Sequence, residues 1–136
     1  MLSEIKLDTS KREECIGITS EVNQIISNSG ITEGLCSVFC MHTTTAIIIN
    51  ENYDLNICHD FLEALGKIIP RGKWKHDKVD GNADAHIKSS IIGAEKIIPI
   101  KSGKLFLGKW QSLMFVEFDG PREGRRIAVT ILGSVD

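Results

Sequence analysis

The sequence predicts one α+β domain, in which two main helices and one short helix pack on a largely antiparallel or mixed β-sheet. Apolar residues recur at the helical period in two segments, and in several shorter segments they alternate or run continuously as in strands. No repeat, low-complexity tract or linker divides the 136 residues, and this length suits one ordinary domain.

The first two predicted elements are a strand and an amphipathic helix. Residues 2–8 alternate loosely between polar and apolar side chains, which indicates a strand. The segment from Ser10 to Glu13 reads as a capping box, so we expect a helix to begin there. Apolar residues at helical spacing continue to Gly30, a typical residue at a helix end.

Two β-rich runs and a second helix follow. Residues 34–41 and 45–50 predict two short strands or one bent strand. Asp54 is a good N-cap, and the apolar stripe after it predicts a helix that ends near Gly66 and Pro70.

The rest of the chain contains a loop, a short helix and more strands. Residues 70–83 form a polar loop, and a loop of this length in a compact domain is often functional. The short helix is expected to begin near Asn82–Asp84 and to end at Gly93. The remaining predicted strands are 95–100, 104–107, 112–118 and 125–132.

Composition and charge narrow the function classes. The formal net charge of −2, from 16 basic and 18 acidic residues, argues against bulk binding of nucleic acid or an anionic membrane. No apolar run approaches the ~20 residues of a membrane span, and the first residues lack a secretory pattern. We therefore expect a cytoplasmic protein. One sheet face has no predicted helix over it, and self-association is one way to cover it.

The four cysteines fit neither a disulfide framework nor a zinc knot, because no Cys-x-x-Cys pair occurs. Cys36 and Cys40 share one face of a predicted strand, which indicates small buried thiols. A metal-binding pair of Cys40 with His42 is the alternative.

Three histidines lie in polar strand-edge or loop contexts, and these are His42, His76 and His86. Three neutral imidazoles suit zinc and leave one coordination position open. Asp77 and Asp84 are close to them in sequence, where carboxylates would orient the rings. A divalent metal site, for zinc or magnesium, is therefore one hypothesis. The fourth histidine, His59, is expected on a helix surface.

Other polar groups suggest an anion site. Asn82 or Asp84 would cap the short helix, and free N–H groups at a helix start attract anions. Thr43 and Thr44 offer hydroxyls at a strand end, although β-propensity also explains them. Glu51 has no evident structural reason, and a carboxylate there suits Mg²⁺ binding or general-base work.

Glu117 is the least expected acid, because it lies in a strongly apolar strand. An unpaired buried carboxylate is costly, so Glu117 requires a partner, a metal or water. The turn after it presents Arg122, which suits bidentate capture of an anion. Arg125 and Arg126 are interpreted as part of a surface hairpin.

Four segments resemble, in order, the motifs of the YjbQ-like family, usually labelled secondary thiamine-phosphate synthase. The resemblance extends from about residue 5 to residue 132. The segments are His42–Ala46 (HTTTA), Asn50–Asn52 with Asp54 (NEN-x-D), Gly81–Lys88 (GNADAHIK) and Glu117–Arg122 (EFDGPR).

This resemblance implies a YjbQ-like fold that assembles as a homotrimer, with its site near subunit contacts. It also implies that hydroxymethylpyrimidine diphosphate and a thiazole phosphate are joined, with release of pyrophosphate, as a side activity. Taking the motifs and the residue chemistry together, we assign catalytic roles to Glu51, Asp84, Glu117 and Arg122, substrate binding to Thr43, Thr44, Asn50, Asn82 and Lys88, and metal binding to His42, His76 and His86.

Two other functions remain open from the sequence. One is a metal-dependent hydrolase of a small phosphorylated substrate, with Glu51 or Glu117 as the base. The other is a non-enzymatic trimeric protein that binds a ligand or metal. In each case the expected partners are a small phosphorylated molecule and further copies of the chain.

Overall fold

Two antiparallel β-sheets stack face to face in the computed structural model, which describes residues 1–135. The larger sheet has the strand order β1-β8-β3-β5-β6 and the smaller has β2-β7-β4. The elements are β1 (Leu2–Leu7), β2 (Glu14–Gly17), α1 (Thr19–Ser29), β3 (Glu33–Cys40), β4 (Thr45–Asn50), α2 (Leu55–Ile68), a 3₁₀ helix (Lys75–Lys78), α3 (Ala83–Ile92), β5 (Glu95–Lys101), β6 (Lys104–Leu105), β7 (Ser112–Glu117) and β8 (Arg125–Ser134).

Strand β7 explains why there are two cores rather than one. Leu113 and Phe115 face the larger sheet and α1, whereas Met114 and Val116 face α2 and α3. Because successive side chains of a strand point to opposite faces, this fully apolar strand is buried on both sides. The fold class is confirmed as α+β, but the predicted single sheet is two sheets.

The predicted helix start at Ser10 is wrong. Glu14 turns the chain instead, because its Oε1 accepts hydrogen bonds from the backbone N–H groups of Ser10 (2.6 Å) and Lys11 (3.3 Å). The next residues form β2, with Cys15 opposite Val116 of β7. Tertiary strand pairing therefore overrides the local capping signal, and α1 begins only at Thr19.

The other two helices agree with their sequence signals. Asp54 caps α2 by accepting a hydrogen bond from the N–H of Asn56 at 2.9 Å. Helix α3 ends before Gly93, as predicted. No helix in residues 1–135 is long and apolar enough to cross a membrane.

The outer face of the larger sheet carries no helix within residues 1–135. Apolar side chains lie there in register, with Leu35 of β3 opposite Leu132 of β8. Phe39 and Ile97 lie on the same face, and Leu132 and Ile97 are 65% and 61% exposed. This is the uncovered sheet face that the sequence predicts.

Candidate functional site

The centre of the polar region is a buried ion pair between Glu117 and Arg125. Glu117 is fully buried at the end of β7, and its carboxylate accepts hydrogen bonds from Nε (2.8 Å) and Nη2 (2.5 Å) of Arg125. The Thr9 hydroxyl and the Asp119 N–H donate to the same carboxylate, at 2.8 and 3.1 Å. Arg125 also donates to the hydroxyl of Thr44. The partner that Glu117 requires is therefore an arginine of this chain.

Arg125 corrects the interpretation of a surface hairpin. It is 7% exposed, while its neighbour Arg126 is exposed and pairs with Glu4 at the edge of the larger sheet. The two side chains point to opposite faces because they are consecutive residues of β8.

A second buried carboxylate, Asp84, lies on the first turn of α3. It accepts two hydrogen bonds from Arg12, at 3.0 and 3.3 Å, and one from Lys88 Nζ at 3.1 Å. Burial disfavours the charged form of Asp84, but the bonds from Arg12 and Lys88 outweigh burial, and its pKa lies below the usual value. The ammonium of Lys88 also donates to Glu13 at 2.9 Å. Lys88 is only 1% exposed, so it holds these carboxylates in place and faces no solvent.

A hydrogen-bonded chain leads from α3 to the surface. Asn82 donates from Nδ2 to Asp119 Oδ2 at 2.7 Å, and Arg122 Nη2 donates to the same oxygen at 3.0 Å. Arg122 Nε also donates to the Asp119 carbonyl at 3.0 Å. Although 54% of the Arg122 side chain is exposed, its orientation is fixed by these two bonds.

The segment before β2 closes over this region because Gly120 has no side chain. A Cβ on Gly120 would lie 2.2 Å from the carbonyl oxygen of Lys11. The Gly120 N–H donates to the carbonyl of Arg12 at 2.9 Å. The Thr9 hydroxyl accepts from the N–H of Arg122 at 2.9 Å. The motif at 117–122 is thus packed against residues 9–12.

The start of α3 is already occupied by a carboxylate. Asn82 is at the N-cap position, but its side chain caps no N–H group. Asp77 performs the capping instead, because its carboxylate accepts from the N–H groups of Ala83 and Trp74, each at 3.0 Å. These two backbone bonds lower the pKa of Asp77. An anionic ligand at the N–H of Ala83 would therefore have to displace Asp77.

His76 and His86 meet beside this capped helix. Their ring centroids are 4.8 Å apart and the rings are nearly perpendicular, at 86°. With Trp74, Ala83 and Ile87 they line a cleft of about 230 Å³. Neither Asp77 nor Asp84 forms an ion pair with a histidine among residues 1–135, and Asp80 is the acid near His76, at 3.8 Å. The predicted orientation of the rings by Asp77 and Asp84 is thus absent.

His42 lies in a different environment, after the end of β3. Its Nε2 accepts a hydrogen bond from the N–H of Arg126 at 2.8 Å. Burial and the charge of Arg125 lower its pKa. The neutral form, which accepts this bond, is therefore favoured.

Two predicted site residues lie away from the rest in a single chain. Thr45 of β4 is opposite Glu117, whereas Asn50 is opposite Ser112 at the other end of the same strand. At strand spacing, Asn50 and Glu51 lie about 17–20 Å along the sheet from Glu117. Thr44 is buried and its hydroxyl accepts a hydrogen bond from Arg125, whereas Thr43 is exposed.

Among residues 1–135 of a single chain, the three predicted histidines do not form one metal site. In the part of the chain that the structure describes, one group of three His, Cys or acidic residues has its ligand atoms within 4.8 Å of one another. That group is His59, Asp60 and Glu63, all exposed on α2, so His59 is a surface residue as predicted. Of the three predicted histidine ligands, only His76 and His86 are adjacent. A third ligand for a metal at these two rings would have to come from another group.

Comparison with known proteins identifies the family. The family model described as UPF0047 protein YjbQ-like matches residues 3–134. The chain belongs to the UPF0047/YjbQ-like family. The resemblance seen in the motifs is confirmed.

Relatives of this family match the chain over nearly its whole length. A UPF0047 protein of Archaeoglobus fulgidus is 45% identical over 130 residues, which cover 95% of this chain and 99% of the relative. YugU, a UPF0047 protein of Bacillus subtilis, is 42% identical over 125 residues, which cover 90% and 92%. The crystal structure of a YbjQ-like protein from Sulfolobus solfataricus has a TM-score of 0.94 at 39% identity, and the match covers 98% and 97% of the two chains.

Three of the four YjbQ-like motifs meet in this structure. The HTTTA motif reaches the EFDGPR motif through Thr44, Arg125 and Glu117. The GNADAHIK motif reaches it through Asn82 and Asp119. The motif at Asn50–Asn52 is at the opposite end of β4.

Several residues of the polar network are not predicted from the sequence. Arg125 carries a detectable signal, because it is in phase with Ile127, Val129 and Ile131, which all face the core. Thr9, Arg12 and Glu13 carry no such signal, since they lie in an irregular segment where periodicity gives no orientation.

Proposed function

We propose that this UPF0047/YjbQ-like protein binds a small phosphorylated molecule beside Arg122 and catalyses a thiamine-phosphate synthase-type transfer as a side activity. The observation that carries the proposal is the chain of hydrogen bonds from Arg122 through Asp119 to Asn82. It links an exposed cation to the start of α3, which also bears the cleft residues Ala83 and His86.

The charges around the site support Arg122 as the anion-binding group. Arg12, Lys88 and Arg125 are each paired with a buried carboxylate. Arg122 uses Nε and one hydrogen of Nη2 on Asp119, so Nη1 and the other Nη2 hydrogen remain for phosphate oxygens. A guanidinium held in this way suits bidentate binding of a phosphate group.

The neighbouring cleft suits a small flat ring. Its walls are the indole of Trp74, the two imidazoles and the side chains of Ala83 and Ile87. Aromatic faces stack favourably on flat heterocycles, and the cleft volume of about 230 Å³ is sufficient for a single pyrimidine ring. The ring and phosphate parts of one pyrimidine diphosphate would thus have separate binding groups.

The state of the buried carboxylates favours transfer over hydrolysis. A hydrolase needs a free base for its water, but Glu117 and Asp84 are both paired with arginine, and Glu51, the other candidate base, lies about 17–20 Å along the sheet from Glu117. Loss of pyrophosphate from a hydroxymethylpyrimidine diphosphate breaks the C–O bond, and the thiazole nitrogen then forms the new C–N bond. This step requires stabilisation of the leaving pyrophosphate, which Arg122 supplies, and no protein nucleophile.

The test is pyrophosphate release from hydroxymethylpyrimidine diphosphate in the presence of thiazole phosphate, with thiamine phosphate measured chromatographically. We expect Arg122→Gln to reduce the rate by about 10²–10³-fold, as for loss of one donor to a developing anion. Arg126→Gln, which removes an exposed arginine on another face, is the matched control. If the wild type releases no pyrophosphate, the proposed synthase activity is wrong. Ligand binding without turnover, weakened by Arg122→Gln, supports the binding-protein alternative.

A divalent ion, zinc or magnesium, at His76 and His86 is a separate proposal. Their adjacent rings supply two nitrogen ligands, and the remaining ligands would come from water or a neighbouring copy. No step of the transfer is assigned to this ion. Metal content per chain, measured on purified protein, should fall in His86→Ala and persist in His42→Ala. Equal content in both variants excludes the pair as the site.

Assembly as a homotrimer is proposed on the apolar outer face of the larger sheet. Leu35, Phe39, Ile97 and Leu132 form a contiguous exposed patch across β3, β5 and β8. A patch of this kind marks an interaction surface, and a second copy of the chain is the occupant that the family resemblance supports.

The protein is assigned to the cytoplasm, where its thiols would stay reduced.

A further inference from the structure

Three sulfur-bearing side chains from three elements pack against one apolar cluster between the smaller sheet and α2. They belong to Cys15 on β2, Cys58 on α2 and Met114 on β7. Cys58 Sγ is 3.6 Å from Met114 Sδ. Cys15 and Cys58 both pack against the apolar cluster that contains Met114. The proposed transfer reaction uses none of these groups.

Strand register fixes this arrangement. Cys15 is opposite Val116, and Met114 is two residues from Val116 on the same strand. Residues two apart on a strand share a face, so Cys15 and Met114 both point toward α2. Cys58 on α2 packs against the same apolar cluster. Met114 is fully buried, so the position of its sulfur is set by packing.

The donor set is purely sulfur, which determines the class of ion that it suits. Thiolate and thioether ligands select soft ions such as Cu(I), whereas magnesium prefers oxygen. Metal–sulfur bonds of about 2.3 Å in a trigonal arrangement place the sulfur atoms about 4 Å apart. The separation of Cys58 and Met114 is close to this value. Cys15 and Cys58 are partly exposed, which leaves a path from solvent.

We propose that Cys15, Cys58 and Met114 bind one Cu(I) ion. Binding replaces the two thiol protons, which pass to solvent, and forms two copper–thiolate bonds and one copper–thioether bond, with no change in oxidation state. Because binding releases the two thiol protons, copper affinity should increase as pH rises.

The test is an anaerobic titration of the reduced full chain with Cu(I) in competition with a chromogenic Cu(I) chelator. We expect one ion per chain, and a loss of affinity of about 100-fold or more in Cys15→Ala and Cys58→Ala, because even indirect partners at metal sites cost 10–100-fold. Met114→Leu, which conserves volume, should weaken binding by about tenfold. The matched controls Cys36→Ala and Cys40→Ala remove buried thiols outside the trio and should retain the affinity.

Folding of each variant is checked by circular dichroism, so that loss of copper is not loss of structure. The proposal is overturned if the wild type does not compete with the chelator. It is also overturned if all four cysteine variants lose affinity equally. A third contrary result is that the two thiols only form a disulfide in air, seen as a loss of about 2 Da, while the reduced chain binds no copper.

Discussion

The buried pair of Glu117 and Arg125 provides the sharpest test of how this fold is held together. The perturbation is Arg125→Met, which keeps a long side chain and removes the charge. Glu117 would then keep only the bonds from the Thr9 hydroxyl and the Asp119 N–H. A fully buried carboxylate would lose its only cationic partner among residues 1–135.

The expected loss of unfolding free energy is about 3–5 kcal/mol, the usual cost of removing one partner of a buried ion pair. Arg126→Met is the matched control on the adjacent residue. It breaks only the exposed pair with Glu4, which is worth about 0–1 kcal/mol. The double variant Arg125→Met/Glu117→Gln should recover much of the loss, because it removes the uncompensated charge.

The assay is urea unfolding at pH 7, with every variant at the same chain concentration because self-association would stabilise the folded state. With a urea slope of about 2 kcal/mol per molar, the midpoint should fall by about 2 M for Arg125→Met. A midpoint equal to that of Arg126→Met would refute the reasoning. It would mean that Glu117 gains water or another partner, and that Arg125 does not hold the end of β7.

Four further variants test other parts of the molecule. His42→Gln should reduce the loss of stability between about pH 7 and pH 5. The pKa of His42 is lowered on folding, so the unfolded chain binds more protons there than the folded chain, and stability falls as the pH falls. Thermal melts in parallel buffers measure this difference. Phe39→Glu should shift the assembly toward monomers by sedimentation velocity, and an unchanged oligomer would exclude this sheet face as the contact. Gly66→Ala, at an open position in α2, should stabilise the fold by up to about 1 kcal/mol. Gly34→Ala places Cβ 2.1 Å from a backbone oxygen of the neighbouring strand and should destabilise by about 1–3 kcal/mol; if both glycine variants unfold at the same urea concentration, the close approach is not real.

Local signals predicted the elements that depend on local chemistry. Strand β4 has its predicted limits, and α2 follows Asp54 as its cap. The wrong prediction of a helix start at Ser10 shows that local signals are not sufficient where two local structures use the same residues. A capping box and a turn stabilised by Glu14 use the same short polar residues, and only pairing with β7 decides between them.

The candidate site was predicted in its residue types but not in its connections. The sequence indicates that Glu117 needs a partner, but its hairpin context predicts Arg125 on the surface, against the alternation of β8. Lys88 was expected to face a ligand, but it lies between Asp84 and Glu13. Such pairings join residues distant in sequence, and no local pattern specifies them.

The near-neutral composition, the periodicity and the four motifs by themselves determined the α+β class and the family of this chain. Tertiary structure alone decided that β7 separates two sheets and two cores, that Asp77 rather than Asn82 caps α3, and that Asn50 and Glu51 lie away from the other motifs. The physical reason is the sequence separation over which each kind of interaction acts. Periodicity and capping act over a few residues, whereas burial of charge and strand register depend on contacts between segments about 100 residues apart, such as Thr9 with Glu117.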